Sequence, residues 1–370
     1  MPHEQLDRSR LKVLPLGERP NKTRIEHDHV TPETAPHPLT GAAGDTLAET
    51  VARIRTARAA GRPVMVAFGA HTIKNGLGPV LIRLMEQGWL THLATNGAGI
   101  IHDWEFAFQG QSSEDVRANV SRGQFGIWEE TGRYLNLAQV VGAWEGLGYG
   151  ESVGSLIQRG GLDIPPPEDL RAFARDRLEL EPDRSAAAID LLDTIHRFRL
   201  PAGWLAVPHP FARFSAQAAA FRMGIPFTGH PMIGHDIIYT HPLNHGAAIG
   251  RTALRDFLAY SAQVRRLEGG VYLSIGSAVM SPMIFEKALS MAQNLELQQG
   301  RHIEGHYMAI VDLAPSTWDW QRDGEPPADN PAYYLRYCKT FSRMGGVMRY
   351  VSADNRDFLL SLCQALASAT

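Results

Sequence analysis

A short apolar run, a bend of small residues and then an amphipathic helix recur along this chain, and that unit limits its fold more than any other feature. VMVAFGA (64–70) is such a run, and KNGLGPVLIRLMEQGWL (74–90) is the helix behind it. THLATNGAGII (91–101) reads as a second strand entering a Gly-containing loop. Strand, helix and strand in so short a span make a crossover unit, which favours parallel strands with helices on the sheet faces. The pattern returns in GGVYLSIGSAVMSP (269–282) before MIFEKALSMAQNLELQQG, in HYMAIVDLAP, and in GGVMRYVSADN (345–355) before DFLLSLCQALAS. LAVPHP (205–210) is a further strand candidate, whereas IPFTGHPMIGHDIIYTHP reads as a loop. The expectation is a doubly wound, mostly parallel α/β sheet.

Residues 1–45 are rich in Pro, His and charge and show no periodicity, so they read as an N-terminal arm, extended or ordered by packing on a neighbour. Residues 46–370 read as a single α/β domain with a helical insertion around 104–200. The 370 residues are enough for that domain and its extensions. Lys and Arg total 36 against 39 Asp and Glu, a net charge of −3 that gives no electrostatic reason to expect nucleic acid or an anionic membrane as partner. No apolar run reaches the ~18 residues of a membrane span, and MPHEQLDRSR lacks a signal-peptide core. Two cysteines, Cys338 and Cys363, cannot staple a scaffold or build a cysteine zinc site. A cytoplasmic protein is expected.

In an open α/β sheet, ligands gather beyond the carboxyl ends of the strands, where loops and helix N-termini meet. Four such ends carry small residues: Gly69-Ala70, Thr95-Asn96-Gly97-Ala98-Gly99, Gly276-Ser277-Ala278 and Ala353-Asp354-Asn355. Glycine admits close backbone approach, and Thr, Ser and Asn add polar groups. They read as a nucleotide cradle, or as the tight turns any strand end needs. None matches G-x-G-x-x-G. His71, at the first strand end, is a candidate ligand contact, with Lys74 and Asn75 near it in sequence.

KNGLGPVLIRLMEQGWLTHLATNGAG resembles the deoxyhypusine synthase family, in which a Ser-Gly turn, a helix, a strand and a Thr-Thr-Ala-Gly-Gly loop follow at the same spacing. GIPFTGHPMIGHDIIYTHP, GGVYLSIGSAVMS, YLRYCK and GGVMRYVSADN are similar to later segments of that family, over roughly residues 60–103 and 205–365. The resemblance implies a Rossmann-like NAD-binding fold, a homotetramer, and chemistry in which NAD takes a hydride from an amine and a lysine captures the imine. Carried over, Thr95, Gly97, Gly99, Gly276, Ser277, Ala353 and Asp354 face NAD, with Asn96 in the same bend. Asp236 takes a polyamine-binding position and Lys339 the imine-forming one. The sequence departs from the family at Ala70-His71, Ile101-His102, Ser281 and Tyr337. Fewer acids and more imidazoles suit a polycation poorly, so an altered amine or amino acid substrate is expected, with transferase or cyclodeaminase chemistry.

His230, His235, His241 and His245 cluster in one segment, with His209 upstream. Imidazole with the adjacent Asp236 suits a divalent metal, with His230, His235 and His241 as ligands, although the spacing matches no compact signature. General acid–base work by His235 or His102 is the other reading. Asp319, Trp318 and Trp320 in STWDWQRDG are candidate substrate contacts, or an N-cap and a solvated loop. Beside the NAD-dependent enzyme stand two alternatives, a non-catalytic nucleotide-binding or regulatory paralogue and a histidine-based metal-dependent hydrolase.

Overall fold

The structure, a computed structural model, describes residues 3–368. At its centre lie six strands: β1 (Val64–Phe68), β2 (His92–Asn96), β3 (Phe227–His230), β4 (Val271–Ile275), β5 (Tyr307–Asp312) and β6 (Val347–Ser352). Every neighbouring pair is parallel, and the spatial order is 3-2-1-4-5-6. This is a doubly wound α/β sheet, in which the chain reverses its direction of travel between β1 and β4.

Strands buried on both faces must be apolar at consecutive positions, and β1 and β4 are buried throughout. Their side chains alternate between two cores. Val64, Val66, Phe68, Leu273 and Ile275 enter the larger one; Met65, Ala67 and Tyr272 enter the smaller. The large core is roofed by most of the helices, including Ala42–Ala59, Gly78–Glu86, Gly97–Gln109 and Asn355–Ala367. Gly246–Val264, Met280–Leu297 and Arg336–Ser342 cover the other face. Among the described residues no helix is long and apolar enough to cross a membrane.

Four local expectations change. Phe227–His230, read as loop, is the edge strand β3, wholly buried beneath Tyr149 and Asp256. It carries one large apolar residue, and its burial comes from helices on either side of it in the chain, so there is no alternation to read. Of the other strand candidate, 205–210, only Leu205 and Ala206 are in a strand: Gly203–Ala206 pairs antiparallel with Gly161–Ile164 outside the main sheet. The bend after β2 is no loop: the helix Gly97–Gln109 starts at once, capped by the Asn96 side chain accepting from the Gly99 N–H at 2.9 Å. The N-terminal arm packs on its own chain. Leu16, Ile25 and Val30 enter the large core, and Arg8 donates to the Tyr239 carbonyl and to Asn244. These anchors are widely spaced, each filling a separate hole, which produces no periodic signal.

Gly69 is fixed by the sheet reversal, because a Cβ there would lie 2.1 Å from the Gly276 carbonyl oxygen. Gly69→Ala therefore costs about 1–3 kcal/mol or more through overpacking, read as a lower urea midpoint. Gly250, inside a helix with nothing within 4 Å of its missing Cβ, is the control. Gly250→Ala raises stability by about 0.5–1 kcal/mol in the same measurement.

Candidate active site

The four small-residue bends meet along one edge of the sheet. The Thr95 hydroxyl donates to the Phe68 carbonyl at 2.8 Å, and the Gly69 N–H to the Ile275 carbonyl at 3.0 Å. The Gly276 N–H donates to Val311 at 2.8 Å and the Ala353 N–H to Asp312 at 3.0 Å. The strand ends are thus laced together past the regular ladder. The Asn355 amide lies over Gly276, where φ is +54°, and leaves its Oδ1 buried without a partner.

Packing accounts for several of these glycines. A Cβ on Gly99 would strike the Thr95 hydroxyl at 2.1 Å, and one on Gly97 the Asp236 carboxylate at 2.0 Å. Thr95, Gly97 and Gly99 are buried along this edge. Ser277 is buried as well, its hydroxyl accepting from the Ser281 N–H. Ala70, Asn96, Ala98, Gly276, Ala278, Ala353 and Asp354 remain at least partly open along the edge.

Beside this ledge lies a cavity of about 190 Å³ between the first turn of the Gly97–Gln109 helix and the segment after β3. His102, His235 and Asp236 line it, together with Arg19, Lys74, Glu105, Ser113 and Glu114. Two of its wall atoms, Asp236 Oδ2 and Ser113 Oγ, are buried without hydrogen-bond partners. An unpaired buried polar atom is costly, and two around one cavity mark a place shaped for a polar ligand. Ser113 also holds φ at +68°, in the left-handed region that non-glycine residues seldom occupy.

The charges differ in their compensation. Burial pushes the Asp236 carboxyl up to about 7, with nothing opposing it. Burial also pushes Glu105 up, but Arg19 outweighs it through charge and hydrogen bonding and leaves that carboxyl below its ordinary range. Arg19 grips Glu105 with two bonds of 2.8 and 2.7 Å. Desolvation lowers His102 to about 4, so the ring is neutral at physiological pH. Burial, then the neighbouring Lys22, lowers Lys74. His71, lowered by burial and by Lys74, sits in an adjoining groove that also holds Lys74, Asn75, Asp354 and Arg356.

Other candidate residues stand elsewhere. Lys339 does not line the cavity that holds His102 and His235; it pairs with Glu325 at 2.5 Å and lies over the Tyr333 ring. The hydrogen bond to Glu325 raises its pKa, the reverse of what a nucleophilic amine needs. Asp319 caps the short helix Trp320–Asp323, accepting from the Gln321 and Arg322 N–H groups, and Trp318 donates to the Gly324 carbonyl. Trp318, Asp319 and Trp320 line a separate groove with Met348, Arg349 and Tyr350. The histidines diverge as well. His230 bonds to Thr228, His241 to Glu129, and His235 stands at the cavity. Among the described residues no three His, Cys, Asp or Glu side chains are grouped to hold a metal ion, which removes the basis for the metal-ligand set His230, His235 and His241.

Arg19, Glu105, Ser112, Ser113 and Glu114 escaped sequence reasoning. One signal was available: His102 and Glu105 are three apart on a helix and so share a face. Nothing local could place Arg19, which arrives from the arm.

No protein-family model matches the chain, and no curated protein matches its sequence. Solved structures do resemble it. AgrE in complex with ornithine and NAD+ gives a TM-score of 0.43 at 16% identity, covering 88% of this chain and 33% of that one. ArgZ, an arginine dihydrolase from the ornithine–ammonia cycle in cyanobacteria, gives 0.42 at 14%, covering 90% and 34%. An Entamoeba histolytica protein assigned as a deoxyhypusine synthase gives 0.40 at 10%, covering 88% and 90%. The chain spans about a third of the length of the first two. At these identities the similarity is one of fold.

Asp236 makes a measurable difference to stability. An acid whose folded pKa is about 7, against ~3.9 when unfolded, holds its proton more tightly in the folded state. Its contribution is therefore present below the unfolded value and lost as pH rises towards 7. Asp236→Asn should match the wild type near pH 4 and exceed it by about 1–4 kcal/mol near pH 8, in urea unfolding at both pH values.

Proposed function

We propose that this chain is an NAD-dependent enzyme acting on a small amine or amino acid, removing a hydride from the carbon that bears nitrogen and passing through an imine. The observation that carries the reading is Asp236: a half-buried carboxylate with one buried, unpartnered oxygen, on a cavity lined by the helix that follows β2 and the segment that follows β3. Such a carboxylate calls for a cation, and an ammonium group is the cation a small metabolite brings. Lys74, on the same cavity, offers a counter-charge to a substrate carboxylate, which favours an amino acid over a simple polyamine.

The dinucleotide fits the ledge. Gly276 and Ala353 supply close approach, Asp354 and Asn96 supply acceptors at its rim, and the unpartnered Asn355 Oδ1 supplies one at its centre. When bound there, NAD+ provides an acceptor for the hydride. The protein's own residues do the rest. Asp236 anchors the nitrogen, His102 stands as a neutral base to take the proton that nitrogen must lose, and His235 guards the mouth. Loss of H− from carbon and H+ from nitrogen leaves the C=N bond. Attack of an acceptor amine, or of an amine in the same molecule, on that C=N bond would expel the original nitrogen as an amine or ammonia. Return of the hydride to the new C=N bond would leave no net redox change, as a transferase or a cyclodeaminase requires. Lys339, held in its ion pair, is outside this scheme.

The ornithine and NAD+ held by AgrE make L-ornithine the first probe, with spermidine beside it. Mass spectrometry of the denatured protein, or titration of the stripped protein, should show NAD+ binding. Asp236→Asn should lower kcat/KM for the reacting amine about 10- to 100-fold while leaving NAD+ affinity nearly unchanged. Because Asp236 must be ionised to hold an ammonium group, kcat/KM should rise with pH through about 7. An extract without NAD and no saturable NAD+ binding would sink the proposal.

A further inference from the structure

Behind the cavity wall a chain of hydrogen bonds leads from the N-terminal arm to His102. Glu105 accepts from Arg19 twice, from Thr131 Oγ1 at 3.0 Å and from Ser112 Oγ at 2.6 Å. Ser112 Oγ is in turn 2.7 Å from His102 Nδ1. Arg19, Glu105 and Ser112 are all buried.

The direction of each bond follows from proton counting. An ionised carboxylate only accepts, so Ser112 spends its single hydroxyl proton on Glu105. Towards His102 that hydroxyl can then only accept, which requires the proton to be on Nδ1. Since the ring is neutral, Nε2 carries a lone pair. His102 lines the cavity and its Nδ1 is committed inside the wall, so Nε2 is the nitrogen left for what the cavity holds. Arg19 biases the order. A protonated Glu105 could donate to Ser112, which would donate to His102 and leave the proton on Nε2; the bidentate guanidinium favours the ionised carboxylate.

We propose that Arg19, Glu105 and Ser112 are positioning residues that set the tautomer of His102, with the proton on Nδ1 and Nε2 held as the proton acceptor of the cavity. This rests on reading the cavity as the reaction site. It makes the arm part of the machinery, because the charge that orients the relay comes from residue 19. The histidine serves as a base without being strongly basic in the free protein, and a neighbouring substrate cation is deprotonated without a second charge being buried. The charged and titratable groups facing His102 are Glu105, Lys74, Arg19 and His71.

The test is the ring-nitrogen NMR of the full chain labelled with 15N-histidine, assigned by comparison with His102→Gln and followed between about pH 6 and 8. The expected result is a neutral His102 with its proton on Nδ1 throughout. Ser112→Ala should lose that signature, giving mixed tautomers or the Nε2-protonated form, and Ser112→Thr should restore it. A wild-type ring protonated on Nε2, or a doubly protonated one near pH 7, overturns the proposal; so does an Nδ1 preference that survives in folded Ser112→Ala. If Ser112→Ala fails to fold, the wild-type spectrum decides alone. The readout needs neither NAD+ nor an amine, so the relay can be upheld where NAD+ binding fails, and refuted where NAD+ binding succeeds.

Discussion

The contact between Gly69 and Gly276 governs the architecture of this molecule. β1 and β4 are adjacent and parallel, yet the chain leaves their carboxyl ends towards different helices, and Gly69 lets the bends touch because a Cβ there would strike the Gly276 carbonyl oxygen. Once that contact is made, Thr95 and Asn355 are drawn in from either side, the first by its bond to Phe68 and the second by packing over Gly276. Chemistry at the edge then depends on what the flanking segments deliver, and here the segment after β3 brings Asp236 while the arm brings Arg19.

The two acids of the cavity show how burial is used in opposite ways. Glu105 is buried with four donors and serves as a fixed negative charge that aligns its neighbours. Asp236 is half-buried, with one buried oxygen unpartnered, and burial pushes its carboxyl up to about 7. Compensating Asp236 internally would stabilise the fold and remove the reason for a cation to enter. One acid is thus satisfied and the other is not within one small space, the division on which the proposed reading of the cavity rests.

The sequence made the central strands legible because β1, β4 and β5 are apolar on both faces, a pattern that few other arrangements need. β3 was illegible for the complementary reason: Phe-Thr-Gly-His looks like a turn, and helices from before and after it in the chain bury it. Asp236 and His102 could be singled out from their positions near Gly-rich bends. The glycines of those bends were harder to interpret, since the room beside Gly97 and Gly99 is taken by Asp236 and Thr95. Asp319 read either as a substrate contact or as an N-cap, and the structure has it capping Trp320–Asp323. Arg19 lay beyond local reasoning altogether, because its meaning depends on a partner 86 positions away.

The most direct examination of this account is an experimental structure of the protein saturated with NAD+. The dinucleotide should lie along the edge formed by Ala70, Gly276 and Ala353, with its nicotinamide ring turned towards the cavity of Asp236 and His102. Density for NAD+ at another face of the molecule, or an empty edge at saturating concentration, would contradict it.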